Sequence, residues 1–227
     1  IYLGDTAHLP YGTKSKEAIV RFSIANSQFL QNRGAELLAI ACHSSASVAT
    51  EELKKRFKLP IVDVVSQGAK AVARLNPKMV GVIGTVATIE SGSYIEELRK
   101  VGVGCEIVAR ACPLLVSIVE EGIITGPIAE LIVDYYLDPL KTEGIDTLLL
   151  GCTHFPILIP VIEKILPGVR PVDPAVEVAR EIAMMQPKVE GGKVKIYLTD
   201  LSPNYQRLTR CFLGEEVSDI IRATLEG

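Results

Sequence analysis

Short apolar runs alternate with stretches of helical period along nearly the whole chain. The first run, Ile1-Tyr2-Leu3, leads into Gly4-Asp5-Thr6 and the turn-rich Leu9-Pro10-Tyr11-Gly12. From Ser15 to about Asn32, Ile19, Phe22, Ile24, Phe29 and Leu30 recur at roughly helical spacing, with Gly34 placed to cap the end. Leu37 to Ala41 predicts a strand, and Ser44 or Ser45 is placed to cap a helix reaching about Lys58. Ile61 to Val65 predicts a short strand, and Gly68 opens a helix. Met79 to Gly84 predicts another strand, followed by a helix to about Lys100 and a weakly alternating strand over Cys105 to Ala109. Pro127 to Lys141 and Pro160 to Ile165 predict helices on either side of the apolar strand Ile145 to Leu150. Val169 to Val172 and Lys195 to Leu198 predict strands, with helices over Ala175 to Met184 and Asn204 to Leu213. Such alternation predicts an α/β fold with largely parallel sheets covered by helices.

Two of the strands end alike. Leu37-Leu38-Ala39-Ile40-Ala41 runs into Cys42-His43-Ser44-Ser45, and Leu148-Leu149-Leu150 runs into Gly151-Cys152-Thr153-His154. Residues just past the C-terminal end of a buried parallel strand face the crevice where open α/β sheets bind ligands. Alone, Cys152 reads equally as a buried small hydrophobe, the usual fate of a free cysteine. Two thiols in the same context, each followed by imidazole and hydroxyl groups, favour one site served from two halves. Cys105, Cys112 and Cys211 end no strand in this way and read as structural, and His8 reads as a solvated loop residue.

The 227 residues suffice for one large or two small domains. Hydrophobic content of 48% with 22% charged residues supports a substantial core, and a net charge of −3 without a block of like charge gives no footprint for nucleic acid or an anionic membrane. No apolar run reaches the length of a membrane span. Five cysteines without disulfide-framework spacing suit a reducing cytoplasm. Neither CxxC nor HExxH occurs, so no metal site is expected. The chain starts at Ile1, without an initiator Met and already inside an apparent strand, which leads us to expect something ahead of it.

A cleft with one thiol on each wall suits inversion at a carbon bearing a weakly acidic hydrogen. One thiolate removes the proton and the other thiol delivers one from the opposite face. A free thiol titrates near 8.5, within tuning range of neutral pH. The α-proton of an amino acid is very weakly acidic. Strand-end amides and hydroxyls, with Ser44 and Thr153 among them, are therefore needed to hold the carboxylate and stabilise the developing enediolate.

Gly4-Asp5-Thr6 with Pro10-Tyr11-Gly12, Gly81 to Thr85 with Ala87-Thr88, Ala111-Cys112-Pro113-Leu114, Val119 to Gly122, and above all Gly151-Cys152-Thr153-His154 occur in one order across the chain. In these motifs the sequence resembles glutamate racemase, of the Asp/Glu racemase superfamily. The resemblance implies two similar lobes, residues 1–68 plus 181–227 and residues 69–180, with the active site in the cleft between them. It implies cofactor-independent interconversion of L- and D-glutamate, without pyridoxal phosphate or metal, supplying D-glutamate for peptidoglycan in the cytoplasm. It implies Cys42 and Cys152 as the acid/base thiols. Tyr11, Gly12, His43, Ser44, Thr153 and His154 are implied as substrate contacts, and Glu120 as an acid supporting the second thiol through His154. The small-molecule partner would be glutamate, and a homodimer is an expectation from the family, without an interface signature in the sequence.

Three departures stand out. The family's opening Asp-Ser-Gly-x-Gly-Gly strand is absent, His43 replaces an Asn, and Ser66-Gln67-Gly68 stands where the family has Glu-Pro-Gly. They keep two alternatives open: a racemase-like protein that binds without turning over, and a racemase of another amino acid such as aspartate.

Overall fold

Thr147–Gly151 is a strand in which every residue is buried, as an apolar run covered on both faces requires. In this computed structural model, which describes residues 1–185, 192–201, 209, 212, 214 and 219–225, it is the sixth strand, β6. It lies inside a four-stranded parallel sheet, beside β4 (Met79–Gly84), with β5 (Glu106–Ala111) and β7 (Arg170–Val172) at the edges. Side chains alternate with period two. Leu148 and Leu150 pack with α6 (Pro113–Glu120), α7 (Gly126–Glu143) and α8 (Ile159–Ile165) on one face. Leu149, with Val80 and Val82, packs with α3 (Val64–Leu75) and α5 (Ser93–Lys100) on the other. Each of the three leucines is fully buried, a gain of about 1.5–3 kcal/mol apiece over exposure. That burial holds the end of β6, and hence Cys152, in place.

The remaining strands are also parallel. β1 (Tyr2–Gly4) pairs with β8 (Ile196–Leu198), which pairs with β9 (Ile220–Arg222). β2 (Leu38–Ile40) pairs with β3 (Ile61–Asp63). Among the described residues these five strands form two separate sheets. α1 (Lys16–Gln31) packs on α2 (His43–Arg56), and α9 (Pro174–Met185) packs on α3. No described helix is long and apolar enough to cross a membrane.

Several boundaries differ from the expected ones, for local reasons. α2 starts at His43, with Cys42 itself in the N-cap position, so Ser44 and Ser45 lie inside the helix and turn their hydroxyls to other elements. α3 starts at Val64 rather than Gly68, because the Asp63 carboxylate accepts from the amides of Val65 and Ser66. β5 runs two residues further, to Ala111, pairing with β4 throughout. β9 was not anticipated. The helix expected over 204–213 falls almost wholly outside the described residues, as does Cys211.

Candidate active site

The C-terminal ends of β2, β4 and β6 supply the candidate residues. Past β2 comes Cys42, past β4 comes Thr85, and past β6 comes Cys152. Thr85 joins three elements. Its Oγ1 lies 2.9 Å from Ser44 Oγ and 3.0 Å from Thr88 Oγ1, and it accepts from the Thr88 amide at 3.2 Å. From the other side Gly12 rests against it. A Cβ on Gly12 would stand 2.5 Å from Thr85 Cβ and 2.6 Å from Cγ2, so only glycine fits. The loop after β1, the start of α2 and the end of β4 therefore meet at one hydroxyl.

Tyr94, on α5, ties the two thiol-bearing segments together. Its hydroxyl is 2.7 Å from His43 Nδ1, next to Cys42. Its ring lies against Gly151, next to Cys152, where a Cβ would approach Cε2 to 3.2 Å. Nothing in the sequence marks this residue, since its partner is 51 positions away. Asp5, part of the Gly4-Asp5-Thr6 motif, was given no role in the sequence reading. It is buried, accepts from the hydroxyls of Tyr11 (2.5 Å) and Thr199 (2.9 Å), and lies 2.8 Å from His8 Nδ1. Its signal was present in its place just past β1. His8, expected to be solvated, is held by Asp5 and stacked on Phe22 with 4.1 Å between ring centroids.

The sequence-derived candidates fall into two groups. Around Cys42 lie Tyr11, Gly12, His43 and Ser44. The Tyr11 ring is buried and its hydroxyl is committed to Asp5 and to Asn26 Nδ2, 3.0 Å away. Around Cys152 lie Thr153, His154 and Glu120. His154 Nδ1 is 3.7 Å from Cys152 Sγ and 3.5 Å from Thr153 Oγ1, and its Nε2 is 3.3 Å from Glu120 Oε1. Glu120, His154 and Cys152 thus lie in one chain of contacts. Tyr94 joins the two groups, with its hydroxyl on His43 and its ring against Gly151.

Both thiols are held neutral. Burial pushes Cys42 up, opposed by the amides of Ser45 and Ser44 and the Ser44 hydroxyl at the start of α2, although no capping hydrogen bond is closed. Burial pushes Cys152 up to about 12, with the His154 amide opposing and the charges of Cys42 and Glu120 adding to the rise. Burial lowers His43 to about 3, so it too is neutral. Each thiol therefore has thiolate-favouring donors in place but needs a cation nearby to ionise at neutral pH. Among the described residues no group of three or more His, Cys, Asp or Glu side chains could hold a metal ion.

Residues 1–182 match the family model of Asp/Glu/hydantoin racemase. The chain belongs to that family. Within this racemase family it is 44% identical over 218 residues to a glutamate racemase of Aquifex aeolicus, covering 96% of this chain and 85% of the relative. The structure of a Francisella tularensis glutamate racemase in complex with D-glutamate superposes with a TM-score of 0.92 at 31% identity, over 99% of this chain and 87% of that one. A Bacillus anthracis glutamate racemase superposes with a TM-score of 0.93 at 29% identity, with the same coverage. This racemase-family chain therefore shares the two-lobed α/β fold of those enzymes.

Proposed function

We propose that the chain is a cofactor-independent glutamate racemase, interconverting L- and D-glutamate with Cys42 and Cys152 as the two acid/base groups. The observation that carries the reading is that one residue, Tyr94, bridges the two strand-end thiol segments, its hydroxyl 2.7 Å from His43 Nδ1 beside Cys42 and its ring against Gly151 beside Cys152. One thiolate takes the α-hydrogen, forming its S–H and leaving an enediolate. The second thiol gives its proton to the opposite face and becomes the thiolate. The substrate's ammonium group supplies the cation that lowers the thiol pKa on binding. The hydroxyls of Ser44 and Thr153 and the adjoining amides hold the carboxylates, and His154, backed by Glu120, serves Cys152.

The layout we propose is one lobe of residues 1–68 plus 181–227 and another of 69–180, with the substrate between them. Support comes from the sheets, since β4 to β7 all lie within the second range. The product would feed peptidoglycan synthesis in the cytoplasm, a reading supported by the free state of the four described cysteines.

A homodimer is part of the same reading. Ile128, Leu131 and Tyr135 form an exposed stripe at helical spacing on α7, and Leu114, near the start of α6, is exposed as well. A twofold copy packed stripe to stripe would cover these apolar side chains within an interface of at least the roughly 1,000 Å² that a stable association needs. Light scattering should give a dimer that Leu131→Glu dissociates; a monomeric wild type refutes the assignment.

The enzymatic test is incubation with L-glutamate and separation of enantiomers. Accumulation of D-glutamate supports the reading. Turnover of aspartate alone would move the substrate assignment. Binding of glutamate without any turnover would favour the non-catalytic alternative that the His43 and Ser66-Gln67-Gly68 departures raise.

A further inference from the structure

Tyr94 is fixed on both flanks. A Cβ on Gly151 would lie 3.2 Å from its Cε2, and one on Gly68 would lie 3.3 Å from its Cε1. The ring is 2% exposed. Its hydroxyl is thereby aimed at two atoms, His43 Nδ1 at 2.7 Å and the Val64 carbonyl oxygen at 3.3 Å. A phenol has one proton to donate, and a carbonyl oxygen can only accept. Both contacts are satisfied in one arrangement alone: the Tyr94 hydroxyl donates to Val64, and His43 Nδ1–H donates to the hydroxyl. In a neutral imidazole the other nitrogen, Nε2, is then an acceptor.

Among the described residues His43 makes its ring hydrogen bond through Nδ1, and none reaches Nε2. Among the described residues the sealed side-chain atoms without a partner are Asn26 Oδ1, Ser47 Oγ and Arg110 Nε. His43 Nε2 is not among them, so, lacking a partner among the described residues, it is not sealed from solvent. An acceptor needs a donor. An amino acid with two carboxylates carries its hydrogen-bond donors on the α-ammonium group.

Building on the proposed racemase reading, we infer that Tyr94 is a positioning residue that locks His43 as the Nδ1–H tautomer, so that His43 Nε2 accepts an N–H from the substrate ammonium. The arrangement keeps a positive imidazolium away from that ammonium. It also sets the ammonium beside Cys42, where its charge favours the thiolate. An Asn at position 43 would offer its side-chain carbonyl for the same bond.

The test is nitrogen spectroscopy of the uniformly ¹⁵N-labelled full chain. With three histidines in the sequence, the His43→Asn variant identifies the signals of His43. Wild type should show a neutral ring with Nδ1 protonated and Nε2 bare, and glutamate should shift Nε2 towards the hydrogen-bonded range. Tyr94→Phe should convert the ring largely to the Nε2–H form and raise KM for glutamate about tenfold, with a smaller change in kcat, as loss of one hydrogen bond to a charged group predicts. His43→Asn should keep KM within a few-fold of wild type, whereas His43→Ala should not. An Nε2–H or doubly protonated ring in the wild type overturns the inference, even if Tyr94→Phe fails to fold. So does an Nε2 signal that glutamate leaves unmoved. The expected tautomer in a protein that does not racemise would instead count against the racemase reading and leave the Tyr94–His43 assignment standing.

Discussion

Gly12→Ala puts one methyl group into the joint between the loop after β1 and the end of β4. The new Cβ would stand 2.5 Å from Thr85 Cβ and 2.6 Å from Cγ2, about 1 Å inside ordinary carbon–carbon contact. Thr85 cannot turn aside. Its side chain is β-branched, and its Oγ1 is held by Ser44, the Thr88 hydroxyl and the Thr88 amide. The loop must therefore retreat, taking Tyr11 with it. Overpacking of this kind costs about 1–3 kcal/mol, which for a chain of this size is a fall in Tm of roughly 2–12 °C. Thermal unfolding read by circular dichroism, together with racemisation kinetics, measures both consequences. Activity should fall more than stability, since a displacement of about 1 Å at a catalytic site costs on the order of a hundredfold. Thr85→Ser should not rescue the variant, because the nearer clash is with Cβ, which serine keeps. Thr85→Gly should relieve the steric part. A Gly12→Ala protein with wild-type Tm and wild-type kcat/KM would mean that Thr85 gives way to the added methyl at no cost.

Three more outcomes are expected. Because both thiols are pushed up, kcat/KM should climb with pH from 7 past 9, by up to tenfold per unit, whereas kcat should level off at lower pH once the substrate ammonium is bound; a flat kcat/KM from pH 7 upward contradicts this. Glu120→Gln removes a negative charge that raises Cys152, so the limb of the pH profile belonging to Cys152 should move to lower pH, and a limb that stays or moves up counts against that role of Glu120. His43, 3% exposed and lowered to about 3, stays neutral in the folded protein while the unfolded chain takes up a proton below about 6.5; stability should therefore fall as pH drops from 6.5 to 3, by about 5 kcal/mol in all, and denaturant titrations at pH 7 and pH 4 should show His43→Gln losing less than wild type.

The alternation of apolar runs and helical periods gave the α/β class directly, because β4 and β6 are covered on both faces and their sequences are close to continuously apolar. The two cysteines stood out for the same reason: a thiol ending a buried strand is visible without coordinates. What sequence could not give was anything made by distant pairs. Tyr94 meets His43 across 51 positions, and Asp5 meets Thr199 across 194. Capping decided the helix starts, as with Asp63 immediately ahead of α3, where the carboxylate opens the helix four residues before the expected glycine. Register explains β5, whose weak alternation concealed full pairing with β4.

The claim everything rests on is that two thiols work from opposite faces of one carbon, and single-turnover reaction with L-glutamate in deuterium oxide tests it most directly. D-glutamate should carry deuterium at the α-carbon from the first product formed, while the remaining L-glutamate is still protiated, and that product should be lost in both Cys42→Ser and Cys152→Ser. Early deuterium in the L-glutamate pool at the same rate as in product, or undiminished inversion in either variant, would contradict it.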